Sequence, residues 1–236
     1  MKKCIVNYIT RNAWHPHGQE RLAKSLKTVG FDGDVLLFDN ENYPCVSHRK
    51  TPYAFKLFVL DEARRLGYDL ALWVDASFWA ITPLIELFRQ IEERGFLCQC
   101  SGYALGQWSS DTSLQHLKLD REEAFKTNMF SGGFTGYDFR NEKVVAFFEE
   151  FLKEAKIGTA FRGSWTNRNQ EVSSDPRVMG HRHDMIVGTY LMHKHGLQMQ
   201  EENSLFCYYK WYHDYKVEKK LEGKIPFICE GGDREI

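Results

Sequence analysis

The sequence predicts an α/β fold, a mainly parallel β-sheet flanked by helices, and three observations carry that expectation. Short apolar runs containing β-branched residues alternate with segments of helical spacing through the first half of the chain. The run Leu70–Val74 is apolar without alternation, the pattern of a strand covered on both faces. The chain of 236 residues, 43% hydrophobic, is long enough to bury the core that such a sheet needs.

Each element follows from its local pattern. Lys3–Ile9 (KCIVNYI) is an apolar strand, and 17–29 (HGQERLAKSLKTV) has helical spacing through Leu22, Ser25, Leu26 and Val29, ending at Gly30. Val35–Phe38 is a second short strand that ends in Asp39-Asn40. Residues 53–66 form a helix on Phe55, Val59, Leu60 and Ala63, with Lys56 off that apolar stripe. After the strand Leu70–Val74, Pro83 opens a helix that runs to Arg94 and stops at Gly95, and 96–100 (FLCQC) is a strand. The second half is less regular. Residues 131–139 (SGGFTGYDF) form a Gly-punctuated strand, 141–156 an amphipathic helix capped by Asn141, and 162–176 a polar loop long enough to be a lid. Residues 184–195 are a helix, 197–200 and 205–209 short strands, and 211–236 a charged tail interleaved with aromatics. No internal repeat or linker interrupts this, so a single domain over 1–236 is the simplest organisation.

Composition points to no particular partner. The net charge of -1 offers no basic excess for nucleic acid or an anionic membrane. No window approaches the ~18 uninterrupted apolar residues of a membrane span, so a soluble, cytoplasmic protein is expected. The six cysteines are scattered, four of them in strand-like apolar runs, which suits reduced core thiols rather than a disulfide framework.

The stretch LALWVDASFWAITP, residues 70–83, carries the chemistry. A buried strand runs straight into Asp75, with Ser77 two positions on. Ligands of open parallel sheets bind beyond the carboxyl ends of strands, and extended residues i and i+2 project to one side. Asp75 and Ser77 are therefore placed to aim two oxygens at a ribose or a hard cation. The plainer alternative is that Asp75 caps the following turn. A second polar cluster, GHRHD at 180–184, crowds His181, Arg182, His183 and Asp184 at the start of an apolar helix. A carboxylate there stays ionised near the helix N-terminus, or simply caps the helix. Either histidine can bind acceptor or phosphate.

The order of Lys56 on its helix, GYDLALWVDAS, a helix opened by Pro, a strand, NMFSGGFTGYDF and GHRHDMIVGTYLMHKHGL resembles the GT-A fold glycosyltransferases, across about residues 1–210. The resemblance implies a single-domain, GT-A-like (Rossmann-like) fold, with a nucleotide-binding part over about 1–105 and an acceptor-binding part over about 106–210. It implies transfer of a hexose or deoxyhexose from a nucleotide-diphosphate sugar to the hydroxyl of a glycan or other acceptor. In that frame Asp75 is the first carboxylate of a variant DxD motif and Ser77 stands where many members carry a second Asp. Thr10 and Arg11 fall where the base and ribose are held, Lys56 is a cation for the diphosphate with Arg49 and Lys50 as rivals, and Gly133, with Gly132 and Gly136, allows close approach of the sugar. Asp184 matches the general base of inverting members, with His181, His183 and Trp165 on the acceptor side. Asp75 and His213 would hold Mn²⁺ or Mg²⁺, although Ser77 offers a neutral and poorer ligand than a second Asp. Two alternatives stand beside this: a catalytically inactive nucleotide-sugar-binding module, and a nucleotidyltransferase of related fold. The second lacks a Gly-rich, Lys-containing phosphate loop after the first strand, where the chain has TRNAWHPHGQ.

Overall fold

The structure, a computed structural model, describes residues 1–45, 47–209 and 224–232. The chain order is β1 (Lys3–Ile9), α1 (His15–Thr28), β2 (Asp34–Asp39), α2 (Phe55–Arg65), β3 (Leu70–Val74), β4 (Phe78–Ala80), α3 (Ile85–Arg94), β5 (Phe96–Leu97) and β6 (Cys100–Ala104). It continues with α4 (Asp111–Leu117), α5 (Arg121–Lys126), β7 (Asn128–Phe130), β8 (Phe134–Asp138), α6 (Glu142–Ile157), α7 (His183–Lys194), β9 (Phe206–Tyr208) and β10 (Phe227–Cys229).

The central sheet has the strand order β2-β1-β3-β8-β5. β1 lies parallel to both β2 and β3, and β8 runs antiparallel to β3 and β5, so four of these five strands share one direction. The expected mainly parallel α/β sheet is what the chain forms. Alternation along each strand divides the core in two. Cys4, Val6, Tyr8, Ala71 and Trp73 pack on the side of α2, α6 and α7, whereas Ile5, Leu70, Leu72 and Val74 pack on the side of α1 and α3. Asp75 follows Trp73 by two residues and so faces the α2 side. The turn after β3 leads into β4, which pairs with β10, itself paired with β9.

Several boundaries differ from the sequence pattern, each for a local reason. The expected strand 96–100 splits: Phe96–Leu97 pairs with β8, while Cys100–Ala104 turns away to pair with β7. The Gly-rich strand starts only at Phe134, because 131–133 form a turn that carries the chain past Asp75. Two short helices fill the stretch after β6, each begun by a polar cap: Ser110 Oγ accepts from Ser113 N, and Asp120 accepts from Glu122 N and Glu123 N. Residues 197–200 make one bridge, Gln99 with Gln200, rather than a strand. Asn141 caps α6 by accepting from Lys143 N and Val144 N. Part of the expected tail returns to the fold, since β10 inserts between β4 and β9.

Candidate functional site

Two cavities open at the carboxyl end of the parallel strands and meet at Asp75. The first, about 460 Å³, is lined by Tyr8, Thr10, Trp14, His48 and Phe55. The second, about 630 Å³, is lined by Lys56, Gly132, Gly133, Trp165, His183 and Asp184 among others. Tyr53, Asp75 and Ser77 belong to both.

Asp75 is fixed by the strand that delivers it. Its backbone N–H donates to Gly133 O at 2.9 Å, extending the β3–β8 pairing by one residue, and Trp73 Nε1 donates to its Oδ1 at 2.8 Å. The carbonyl of Val74 accepts from Asn7 Nδ2 at 2.7 Å, and Asn7 Oδ1 accepts from Gln19 Nε2 at 2.9 Å, which pins β3 to β1 just below the cleft. The Asp75 side chain is 33% exposed.

Lys56 enters from α2. Its ammonium, 8% exposed, lies 3.0 Å from Asp184 Oδ2 and 3.4 Å from Asp75 Oδ1, and donates to Gly132 O at 2.8 Å. Burial opposes its charge, but the two carboxylates outweigh burial and raise its pKa. Asp184, only 9% exposed, has its pKa pushed up to about 6 by burial, against the pull of Lys56. The site thus holds a carboxyl group that titrates just below neutrality beside a fixed cation. Gly132 and Gly133 are required by proximity: a Cβ on Gly132 would meet Asp184 Oδ2 at 2.7 Å, and one on Gly133 would meet Phe78 at 3.0 Å and Asp75 Oδ2 at 3.1 Å.

The start of α7 is built differently. His183 has φ 42° and Tyr53 φ 62°, both in the left-handed region that disfavours side chains, and the two rings stack at 5.4 Å. Phe161 O accepts from His183 Nδ1 at 2.8 Å, so Nδ1 carries the proton and the buried Nε2 is a bare acceptor with no partner. Burial pushes this imidazole down to about 4. His181 is fully buried and spent: its Nδ1 accepts from Ser110 N at 3.2 Å and its Nε2 donates to Ala160 O at 3.1 Å, with burial lowering its pKa to about 3. A neutral imidazole with both nitrogens used has no capacity left for a ligand.

The structure therefore brings Thr10, Asp75, Ser77, Lys56, Gly133, His183, Asp184 and Trp165 to the paired cavities, and leaves His181 behind the wall. Arg11 is drawn aside by Asp39, 2.9 Å away, and lines a neighbouring groove together with Arg49. Lys50 is exposed, and neither Arg49 nor Lys50 lines the cleft where Lys56 sits. His213 lies outside the described residues, as does Trp211. Residues the sequence did not single out complete the walls, Tyr53, Ser131, Tyr103 and Tyr208, beside Arg182 of the GHRHD cluster. An aromatic before a helix and a polar residue before a Gly pair are the only signals they leave in the sequence.

The fit of a divalent cation turns on the donors. Asp75 Oδ1 is engaged by Trp73 and faces the Lys56 ammonium, and Ser77 Oγ sits 3.4 Å from Cys229 Sγ rather than beside a second carboxylate. Among the described residues no three His, Cys, Asp or Glu side chains gather around a common point. Asp75 thus stands without a cluster of three protein ligands among the described residues, and a cation there would take its remaining ligands from phosphate and water.

Among solved structures the chain is similar to two glycosyltransferases. One is a glycosyltransferase involved in glycosylation of the major capsid of PBCV-1, with a TM-score of 0.54 and 10% identity over 97% of this chain and 93% of that one. The other is the bifunctional glycosyltransferase WbbM, with a TM-score of 0.58 and 11% identity. The chain aligns over 99% of its own length but spans only 46% of WbbM. The fold is that of these glycosyltransferases. No family model matches the chain, and no curated protein does. No described helix is long and apolar enough to cross a membrane.

Proposed function

We propose that the protein is a glycosyltransferase that moves a sugar from a nucleotide-diphosphate sugar to an acceptor hydroxyl, with inversion and with Asp184 as general base. The observation that carries this reading is the Lys56 ammonium held between Asp75 and Asp184 where the two cavities meet. The aromatic first cavity suits a nucleoside, with Tyr8, Trp14 and Phe55 available for stacking on the base. Asp75 then faces the ribose or diphosphate, and the second cavity takes the sugar and acceptor. In the reaction the acceptor hydroxyl gives its proton to the Asp184 carboxylate as its oxygen bonds to the anomeric carbon. The bond from that carbon to the diphosphate oxygen breaks, and the nucleoside diphosphate leaves with the electron pair. The reading routes no step through a divalent cation.

A second reading is favoured by the 3.0 Å contact of Asp184 with Lys56 and by its low exposure. In it, Asp184 only holds Lys56 and the acceptor in place, and the product keeps the donor's anomeric configuration.

The test is transfer, or slow hydrolysis, of a nucleotide sugar by wild type and Asp184→Asn. A donor is first found by thermal shift across a panel of nucleotide sugars, because a ligand that binds only the native state raises its stability. With Asp184 as base, turnover falls by about 10²- to 10⁴-fold in the variant while donor binding persists. In wild type the rate rises with pH through about 6 as Asp184 ionises, and the variant loses that limb. Product inspected by NMR shows the inverted anomer. A retained anomer selects the second reading, and binding without turnover in wild type selects an inactive binding module.

A further inference from the structure

We propose that Arg182 recognises an anionic substituent, a carboxylate or phosphate, on a sugar bound beside Asp184; this rests on the glycosyltransferase reading above. The guanidinium lies between two indoles, 3.5 Å from the centroid of Trp108 and 4.0 Å from that of Trp165. Both faces of the cation are thereby covered, and only its N–H edge is available for polar recognition. Nη1 donates to Trp165 O at 2.9 Å and to His181 O at 3.4 Å. Among the described residues, Nε and Nη2 have no acceptor and no carboxylate lies within 4.0 Å of this side chain.

Arg11, Arg89, Arg121, Arg140 and Arg177 each pair with Asp or Glu. Arg182 is half-buried in the cleft wall with its charge uncompensated, and burial lowers its pKa to about 10. Glu202 lines the same cavity but rests against Gly102 and forms no ion pair with it. A guanidinium does not shed its proton at neutral pH. A planar fork held by stacking in the wall of a cavity, with no counter-ion among the described residues, is complementary to a bidentate anion.

Arg182 lines the second cavity and not the first, and because the reading above puts the sugar and acceptor in that cavity, the anion belongs to a sugar and not to the nucleoside. Two sources carry that chemistry, the acceptor and the transferred sugar of the donor. The probes are methyl glucoside, methyl glucuronide and methyl glucoside 6-phosphate, which differ only at C6. Their binding is read by tryptophan fluorescence, since Trp108 and Trp165 flank the guanidinium, on protein alone and on protein saturated with the nucleoside diphosphate that gives the largest melting shift. A repeat with an intact neutral nucleotide sugar separates the sources: a charged probe that still binds reports the acceptor subsite, and one that is displaced reports the donor sugar's.

We expect at least one charged probe to bind about 10- to 100-fold tighter than methyl glucoside, the worth of a charge-assisted hydrogen-bond pair. In Arg182→Gln that preference falls to less than about 3-fold, with the melting shift from nucleoside diphosphate unchanged. Arg182→Lys keeps the charge but not the fork, retains part of the preference, and carries the comparison if the Gln variant does not fold. Equal binding of charged and neutral probes, no binding by either charged probe, or a preference that survives in both variants overturns the proposal. Absence of any shift with nucleoside diphosphates in wild type is the separate failure of the glycosyltransferase reading, because the probe arm on protein alone needs no nucleotide.

Discussion

The two carboxylates that share Lys56 reach it by opposite routes. Asp75 is the continuation of a regular strand: the pleat that puts Trp73 on the α2 side puts Asp75 there too, and backbone pairing with Gly133 holds the turn. Asp184 instead follows a non-helical Arg182 and a His183 with φ 42°, and the two imidazoles just before it are held by the carbonyls of 160 and 161. The strand end is placed by secondary structure, and the helix start is placed by tertiary hydrogen bonds and strain. The first should tolerate changes in its neighbours. The second should be brittle, and the following substitutions sharpen or break that contrast.

The largest effect is expected where the two routes converge. Lys56→Met leaves Asp75 and Asp184 facing each other with no cation between them, one of them almost wholly buried. Removing one partner of a buried ion pair costs about 3–5 kcal/mol, read by urea unfolding at pH 7. The pH dependence fixes the cause. In wild type the folded pKa of Asp184 is raised from 3.8 to about 6. The stability that its proton contributes is fully present below about 3.8 and is lost as pH rises through about 6. Without Lys56 that pKa rises further, so the deficit of the variant should shrink markedly between pH 7 and pH 5. A deficit that stays constant over that range would assign the loss to packing and not to the uncompensated carboxylate.

His181→Ala tests whether the helix start is architecture or ligand chemistry. The ring bridges Ser110 N and Ala160 O, and Gly163 packs so close to it that its own Cβ would fall 2.6 Å from the imidazole. Truncation orphans a buried donor and a buried acceptor and opens a cavity, a loss of about 2–4 kcal/mol. Nucleotide affinity should be unchanged, because His181 lines neither cavity. A stable variant with weakened ligand binding would contradict the structural role assigned here.

How much of this was legible depends on how local the cause is. The strands β1 and β3 and the Asn141 cap of α6 follow from patterns within a few residues, whereas the two short helices α4 and α5 hide in a stretch with no apolar periodicity. Asp75 and Asp184 stand out because an ionisable residue ends an apolar run or begins an apolar helix. The division of labour between His181 and His183 does not stand out, since two adjacent imidazoles differ only in which distant carbonyls they meet. Lys56 resembles a solvated lysine until α2 is docked on the sheet, and Arg182 gains its meaning only from Trp108 and Trp165, far from it in sequence. The turn at 131–133 likewise needs β8 in place before its glycines can be seen to make room for both carboxylates.

Ser77→Ala should give the smallest effect, and it is the sharpest probe of the strand end. The resemblance to a DxD pattern would make this position the second oxygen ligand, yet its hydroxyl is turned to Cys229 Sγ at 3.4 Å, a weak contact with a thiol whose pKa burial raises to about 12. The backbone does the structural work there, since Ser77 O accepts from Arg21 Nη2 at 3.2 Å and from Glu230 N at 2.8 Å, and alanine retains that carbonyl. The substitution should therefore change stability by less than about 0.5 kcal/mol and donor affinity by less than about 3-fold. EDTA should leave donor binding equally unmoved in both proteins, because the described donors do not gather around a divalent ion. If Mn²⁺ restores binding lost to EDTA in wild type but not in Ser77→Ala, the hydroxyl is a ligand after all. The strand end would then need a further donor from outside the described residues, with His213 the first to replace.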